Sequence, residues 1–201
     1  MTKFKNKYRI EPARLKNWDY AKSAAYYITI CTANRKHFFG KIENEEMMYS
    51  EIGKIVELEW LKTPDIRPDM NIELGEFVVM PNHFHGIVFI GDNEFNGERD
   101  GERGGGRDAM HLVSTDDIYT NKFGPQSKNV SSIIRGFKSA VTIHARNINP
   151  EFGWQPRFYD RIIRDAKSYE VISKYIINNP KKWFEDAFNK STTNDIHHPS
   201  R

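Results

Sequence analysis

The sequence predicts an α+β fold in which helices pack mainly on one face of an antiparallel sheet. Segments with strand-like and helix-like patterns follow one another in the order strand, helix, two strands, helix, strand, helix. The two adjacent strand segments are separated only by Pro81-Asn82, a break short enough to join antiparallel neighbours. These two observations favour an antiparallel sheet over a parallel one.

Four segments have the composition of strands. β-Branched and aromatic residues predict a first strand over 25–32, which a turn-like Thr-Ala-Asn-Arg-Lys cluster ends. The same enrichment predicts strands over 71–80 and 83–90. A last, short strand is predicted over 158–164.

Two segments before residue 150 have the apolar spacing of amphipathic helices. The first covers about 50–62, with Ser50 as its cap and Pro64 as its stop. The second covers about 130–147. Its predicted apolar face consists of Ile133, Ile134, Phe137, Val141 and Ile143.

A third helix is expected to open at Ser168 and to reach Asn179, where Pro180 ends or kinks it. It carries Tyr175. Because Tyr175 and Asn179 are four residues apart, both lie on one face of this helix.

The composition is that of a soluble globular protein, with 38% hydrophobic and 28% charged residues. We expect one domain over 1–190, interrupted at about 91–129 by a flexible insertion rich in glycine and charged residues, and a disordered tail over 191–201. The formal net charge is only +3. Any nucleic-acid surface must therefore come from local clustering of cations rather than from a global basic field.

The chain has one cysteine, Cys31, which excludes an intramolecular disulfide and fits a reducing compartment. No apolar stretch approaches the roughly 20 residues that a membrane helix needs. The first residues also lack the apolar segment of a secretion signal. We therefore expect a cytoplasmic protein without a membrane partner.

A pair of histidines marks the start of the predicted strand 83–90. Alternate side chains of a strand share a face, so His83 and His85 can converge on one metal ion while Phe84 points away. An unperturbed histidine pKa near 6.5 leaves both imidazoles largely neutral, as ligation requires, at cellular pH. The alternative is a pair of surface or hydrogen-bonded histidines, and the spacing alone does not decide between them.

The third predicted helix offers a nucleophile and a further ligand on one face, Tyr175 and Asn179. Each has a structural alternative. Tyr175 is also compatible with a core or rim aromatic, and asparagine is common at helix ends for backbone reasons.

Three ordered motifs then point to one family: Met80-Pro-Asn-His-Phe-His-Gly86, Trp154-Gln-Pro-Arg-Phe-Tyr-Asp-Arg-Ile-Ile-Arg164 and Tyr175-Ile-Ile-Asn-Asn-Pro180. Together they resemble the REP-associated tyrosine transposases, a branch of the HUH single-strand DNA transposases. The resemblance extends from about Tyr26 to Trp183. The combination of motifs is far more specific than any one of them.

The resemblance implies a ferredoxin-like sheet of the HUH nuclease and transposase type. It also implies that Tyr175 is the nucleophile and that His83, His85 and Asn179 hold a bound Mg²⁺ or Mn²⁺. Relatives often carry glutamine where this chain has the shorter Asn179. Two other tyrosines, Tyr159 and Tyr169, fit the nucleophile's role less well, because Tyr159 lies in a predicted strand and Tyr169 lacks a polar partner four residues later.

The implied activity is cleavage and rejoining of single-stranded DNA through a 5′-phosphotyrosine link, with hairpin-containing DNA as the partner and a monomer favoured over a dimer. Cations interleaved with aromatic residues grip a single strand by charge and stacking. The DNA-binding candidates are Arg135, Lys138, Arg157, Arg161 and Arg164.

Two alternative functions stay open on the sequence alone. In a metal-dependent hydrolase, the histidine pair activates water and Tyr175 is only structural. In an inactive, domesticated DNA-binding module, the fold persists without turnover, although the presence of His83 and Tyr175 argues against this.

Overall fold

The computed structural model describes residues 18–96 and 127–189 in full and, before them, the backbone of two short paired strands. Most of the predicted insertion at 91–129 and the whole predicted tail at 191–201 lie outside the described residues. The strands are β1 (Lys3–Phe4), β2 (Lys7–Tyr8), β3 (Ala24–Cys31), β4 (Gly40–Glu43), β5 (Glu46–Tyr49), β6 (Ile72–Met80), β7 (His83–Ile90) and β8 (Tyr159–Ile163). The helices are α1 (Glu51–Leu61), α2 (Thr63–Ile66), α3 (Val130–Ile148) and α4 (Ala166–Ile177), with 3₁₀ turns at Ala33–Arg35, Pro68–Met70 and Pro180–Glu185.

A four-stranded antiparallel sheet with the order β6-β7-β3-β8 forms the centre of the molecule. In the chain, α1 lies between β3 and β6, and α3 lies between β7 and β8. This order and these connections are those of a ferredoxin-like fold. The predicted α+β class with an antiparallel sheet is therefore confirmed.

The main core lies between one face of this sheet and the helices α1 and α3. Alternate strand residues point into it, and Trp60 of α1 packs on Phe84 of β7 with ring centroids 4.7 Å apart. Its buried members include Tyr26, Ile28, Ile30, Ile52, Val56, Val88, Ile133, Ile134, Phe137 and Val141.

The opposite face of the sheet is covered by α4. Ile172 and Ile176 of this helix pack against Tyr27, Ile87 and Ile163 in a second, smaller apolar cluster. Two of the three long helices thus share one face, as predicted, while α4 stands alone on the other. Because His83 and His85 have the opposite orientation to Phe84, they point towards α4 rather than into the main core.

Side-chain caps set the helix boundaries. Ser50 caps α1 as predicted and accepts a hydrogen bond from the backbone N–H of Gly53. The third long helix begins two residues earlier than predicted, because Asp165 rather than Ser168 is its cap and accepts from the Ser168 N–H at 2.8 Å. The expectation that Ile143 belongs to the apolar face of α3 is wrong, since Ile143 is 63% exposed and the buried position is Ala145.

The sequence did not indicate the hairpin formed by β4 and β5. Its turn residues Asn44 and Glu45 both have positive φ, at 50° and 65°. Tight hairpin turns of this kind usually carry glycine at the second position, and glutamate at this position hides the signal.

Among the described residues, no helix is both long and apolar enough to cross a membrane.

Gly86 follows the histidine pair in β7 and leaves room for the aromatic rings of the main core. A Cβ atom at this position would lie 2.8 Å from the Phe84 ring and 2.9 Å from the Trp60 ring. Such distances require one of the two aromatic rings to move. The absence of a side chain here therefore lets Trp60 and Phe84 pack directly beneath the histidine strand.

We predict that Gly86→Ala lowers the free energy of unfolding by about 1–3 kcal/mol, the usual cost of overpacking a core. Urea unfolding followed by tryptophan fluorescence measures this change. The matched control is Gly153→Ala, where the added Cβ would meet only the Ala33 Cβ at an ordinary 3.5 Å. Equal stability of the two variants would contradict the packing role of Gly86.

Candidate active site

The histidine pair lies side by side on the α4 face of the sheet. The ring centroids of His83 and His85 are 4.6 Å apart, while Phe84 between them is buried in the main core. β7 is a central strand, paired with β3 on one side and β6 on the other. Both imidazoles lie on one face of the sheet, as the alternation of the strand predicted, and the central strand fixes them to a rigid scaffold.

Burial keeps both imidazoles neutral. His83 is 0% and His85 1% exposed. Burial lowers the pKa of His85 to about 3. Burial, assisted by His85 and Arg35, lowers the pKa of His83 well below its usual value. Both rings therefore carry a free lone pair at neutral pH, which is the form that can bind a metal ion.

Neighbouring polar side chains hold both rings through their Nδ1 atoms. His83 Nδ1 lies 2.9 Å from Asn82 Oδ1. His85 Nδ1 lies 2.8 Å from the Tyr27 hydroxyl and 2.8 Å from Thr29 Oγ1. The Nε2 atoms are thereby left for other partners, and His83 Nε2 is buried with no hydrogen-bond partner.

Tyr175 on α4 reaches the histidine pair from above the sheet. Its hydroxyl lies 3.4 Å from His85 Nε2, and the two ring centroids are 5.3 Å apart. Partial burial and the Asp186 carboxylate raise the pKa of Tyr175 above its usual value. The side chain is nevertheless 43% exposed, so a large substrate can reach its hydroxyl.

The other tyrosines occupy different environments. Tyr27 also contacts His85, but it is only 9% exposed beneath α4, where a polymeric substrate cannot reach it. Tyr159 is half-exposed on β8, and its ring packs edge-on against Tyr27. Tyr169 packs on Phe89. Tyr175 thus combines exposure with a contact to the histidine pair.

Asn179 completes the group from just beyond the end of α4, which ends at Ile177 and does not reach Asn179 as predicted. It is 4% exposed, and its Oδ1 atom is buried without a hydrogen-bond partner. The amide lies close enough to His83 to favour the protonated imidazole and so to raise its pKa, but the effect of burial is larger and the ring stays neutral. His83 Nε2 and Asn179 Oδ1 therefore belong to neighbouring buried side chains, and neither atom has a hydrogen-bond partner.

Asp186 also approaches this region, and nothing in the sequence indicated it. Its Oδ2 atom lies 3.8 Å from His83 Nε2, beyond hydrogen-bond distance, and burial raises its pKa. The segment that carries it is tied down next to the histidines, since the Asn82 amide donates to the Phe188 carbonyl at 2.8 Å and the Phe188 ring packs on His83. No motif in the sequence links this segment to the site.

The donor atoms fit a divalent cation. Among the described residues, no three histidine, cysteine, aspartate or glutamate side chains are grouped so as to hold a metal ion. Asn179 Oδ1, which is buried without a hydrogen-bond partner and belongs to a side chain close to His83, could supply a further oxygen ligand for a cation at the histidine pair. Unpaired buried acceptors are costly in a folded protein, and a cation would remove that cost.

The structure separates the predicted DNA-binding cations into two groups. Arg161 lies on β8, opposite Tyr27 in the strand register, and is therefore on the α4 face; Arg157 and Arg164 are exposed just before and after this strand. Arg135 and Lys138 belong to α3 on the other side of the sheet, and Lys138 donates to the Gln155 carbonyl at 2.7 Å. Of these five residues, the strand register places Arg161 on the same face of the sheet as Tyr175.

Comparisons with known proteins agree with this architecture. No family model matches the chain. A solved structure of a REP-associated tyrosine transposase bound to a REP hairpin is 20% identical in sequence to this chain, with a TM-score of 0.53. The match covers 85% of this chain and 74% of the transposase chain. At this level of identity the likeness shows a shared, transposase-like fold.

A closer relative comes from Haemophilus influenzae, where an uncharacterized protein is 37% identical over 174 residues. The alignment covers 86% of this chain and 89% of the relative. The chain belongs to the same protein family as this Haemophilus influenzae protein.

Proposed function

We propose that this protein is a metal-dependent transposase or endonuclease that cleaves and rejoins single-stranded DNA through a covalent 5′-phosphotyrosine at Tyr175. The observation that carries this proposal is the 3.4 Å approach of the Tyr175 hydroxyl to His85 Nε2, between residues 90 positions apart in the chain. An exposed phenol beside two neutral, buried imidazoles is the arrangement that such chemistry needs.

In this mechanism the Tyr175 oxygen attacks the phosphorus of a DNA phosphodiester. The phenol proton passes to solvent, to which the residue is exposed, and the bond between phosphorus and the 3′ oxygen breaks. The 3′ oxygen takes up a proton from solvent and leaves as a hydroxyl, and the 5′ phosphate stays on the tyrosine. Attack by a different 3′-hydroxyl reverses these changes and joins new partners without an external energy source.

His83, His85 and Asn179 would hold the cation for this reaction, Mg²⁺ or Mn²⁺. Two nitrogen donors and one amide oxygen suit Mn²⁺ better than Mg²⁺, which prefers oxygen ligands. When bound, the cation supplies positive charge for the non-bridging oxygens of the phosphate. The protein's own contribution is to hold the three donors and Tyr175 on rigid elements around one point.

Single-stranded DNA, in particular hairpin-containing DNA, is the proposed partner. Arg161 and the neighbouring exposed Arg157 flank Tyr159, whose half-exposed ring offers a stacking surface beside the site. A relative with the same fold is bound to a DNA hairpin in its solved structure, which supports the choice of partner. We propose that the protein acts as a monomer.

One observation favours a second candidate, a hydrolase that attacks DNA with water. Partial burial and Asp186 raise the pKa of Tyr175, so the phenol is protonated at neutral pH in the described arrangement. A hydrolase needs the histidine pair but not the tyrosine oxygen. The two candidates differ in whether DNA becomes covalently attached to the protein.

We predict that Tyr175→Phe abolishes both cleavage and the denaturant-resistant protein–DNA adduct formed with labelled hairpin single strands and Mn²⁺. The substitution removes only the attacking oxygen, so metal and DNA binding persist. The matched control is Tyr159→Phe, which removes a hydroxyl from the same face and keeps both activities. Continued cleavage by Tyr175→Phe would indicate the hydrolase instead.

We predict that His85→Ala weakens Mn²⁺ binding, because it removes a ligand of the ion. The loss of affinity should exceed the roughly 10- to 100-fold that follows when a residue supporting a metal ligand is removed. Isothermal titration calorimetry measures this affinity. Chelation by EDTA should stop cleavage by the unmodified protein. His144→Ala, at an exposed position of α3, is the control and should bind Mn²⁺ normally. Unchanged affinity in His85→Ala would remove the histidine pair from the metal site.

We predict that replacing Arg157 and Arg161 together by alanine weakens single-stranded DNA binding. It should reduce the slope of log affinity against log salt by about 0.7 for each phosphate that is no longer neutralised by a cation. Fluorescence anisotropy at several salt concentrations measures this slope. The comparison variant replaces Arg135 and Lys138 on the other side of the sheet. A larger reduction in that variant would place the DNA on the α3 side.

A further inference from the structure

The imidazole of His83 is held by the residue that precedes it. Asn82 is 1% exposed, and its Oδ1 atom lies 2.9 Å from His83 Nδ1. Both side chains are fully buried, so no solvent competes for this contact. A buried hydrogen bond of this kind can decide which nitrogen of a histidine carries the proton.

The hydrogen bonds of Asn82 fix the orientation of its amide group. The Nδ2 atom lies 2.8 Å from the Phe188 carbonyl oxygen and 3.2 Å from the Arg35 carbonyl oxygen. A carbonyl oxygen can only accept, so the amide nitrogen must occupy this side and the amide oxygen must face His83. An amide oxygen also can only accept, and His83 Nδ1 must therefore carry the hydrogen.

The consequence appears at the other nitrogen of the ring. A neutral imidazole has one proton, and with that proton on Nδ1 the Nε2 atom presents a lone pair. His83 Nε2 is buried without a hydrogen-bond partner, as is Asn179 Oδ1. The Nε2 lone pair therefore lies close to Asn179, whose Oδ1 atom is a second acceptor without a hydrogen-bond partner.

We propose that Asn82 is a positioning residue that locks His83 in the Nδ1-protonated tautomer, so that Nε2 is ready to bind a cation before the cation arrives. The role of the cation rests on the proposed function, but the tautomer can be measured without any metal. Histidines that ligate metals through Nε2 generally donate their other ring N–H to a fixed acceptor. Asn82 supplies that acceptor from the adjacent position in the chain.

His85 is held differently and serves as an internal reference. Its Nδ1 atom faces two hydroxyl groups, those of Tyr27 and Thr29, each at 2.8 Å. A hydroxyl can donate or accept, so this pair is compatible with either tautomer. Removal of the Asn82 amide should therefore change the protonation of His83 and leave that of His85 as it was.

The first test is ¹⁵N NMR of the histidine rings in the metal-free, full-length protein at neutral pH, with the His83 signals assigned from a His83→Gln variant. We expect a protonated Nδ1 and an unprotonated Nε2 at His83. In Asn82→Leu, which matches asparagine in shape but has no acceptor, a mixture of tautomers should appear. A proton on Nε2 of His83 in the unsubstituted protein would overturn the proposal without any variant.

The second test is Mn²⁺ affinity by titration calorimetry. Asn82→Leu should bind Mn²⁺ about 10- to 100-fold more weakly, the usual effect of losing a supporting acceptor. Asn82→Asp keeps an acceptor for Nδ1–H and should restore most of this affinity, although it loses the bonds to the Arg35 and Phe188 carbonyls. Equal weakness of the aspartate and leucine variants would overturn the positioning role and leave Asn82 a structural residue.

A control separates Asn82 from the segment that it tethers. The Arg35 guanidinium donates to the Ala187 carbonyl at 3.0 Å, so Arg35→Ala loosens the same segment while the bond between Asn82 and His83 persists. This variant should keep the His83 tautomer, and a change in it would overturn the assignment to Asn82. Absence of a Tyr175–DNA adduct would refute the proposed function while leaving the tautomer result intact, so the two failures can be told apart.

Discussion

The pairing of β7 with a neighbouring strand on each side is the constraint from which the site follows. Antiparallel pairing with β3 and β6 fixes which side of the sheet each residue of β7 occupies. Phe84 enters the main core, while His83 and His85 are held on the opposite face. A slip of one residue would exchange the two faces, placing the histidines among the aromatic rings of the core and Phe84 under α4.

The main apolar core and the histidine pair lie on different sides of the same sheet. The side covered by α1 and α3 holds most of the large buried apolar side chains, whereas α4 covers the other side with a small cluster around Ile172 and Ile176. This arrangement lets buried polar atoms such as His83 Nε2 and Asn179 Oδ1 persist without donors. Each such atom costs on the order of 1–3 kcal/mol, which the larger core must offset.

Most strands and helices, and the placement of His83 and His85 on one face of a strand, could be predicted from the sequence, because strand alternation and helix caps are local signals. The strand 83–90 and the helix capped by Ser50 are examples. The hairpin turn at Asn44-Glu45 could not be predicted because it lacks the usual glycine. Asp186 could not be predicted because it depends on contacts between distant segments, in which Asn82 and Arg35 hold the segment that carries it next to the histidines. The contact of Tyr27 with His85 could not be predicted for the same reason, since the two residues are 58 positions apart in the chain.

We propose that the Nε2 atoms of His83 and His85 and the Oδ1 atom of Asn179 form one cation site facing Tyr175. Crystals grown with Mn²⁺ and measured at a wavelength where manganese scatters anomalously locate the ion directly. We expect one anomalous peak bonded to both Nε2 atoms and to Asn179, on the side of the rings that faces the Tyr175 hydroxyl. A structure in which Mn²⁺ binds elsewhere, or in which both Nε2 atoms stay without a metal at saturating Mn²⁺, would contradict this claim.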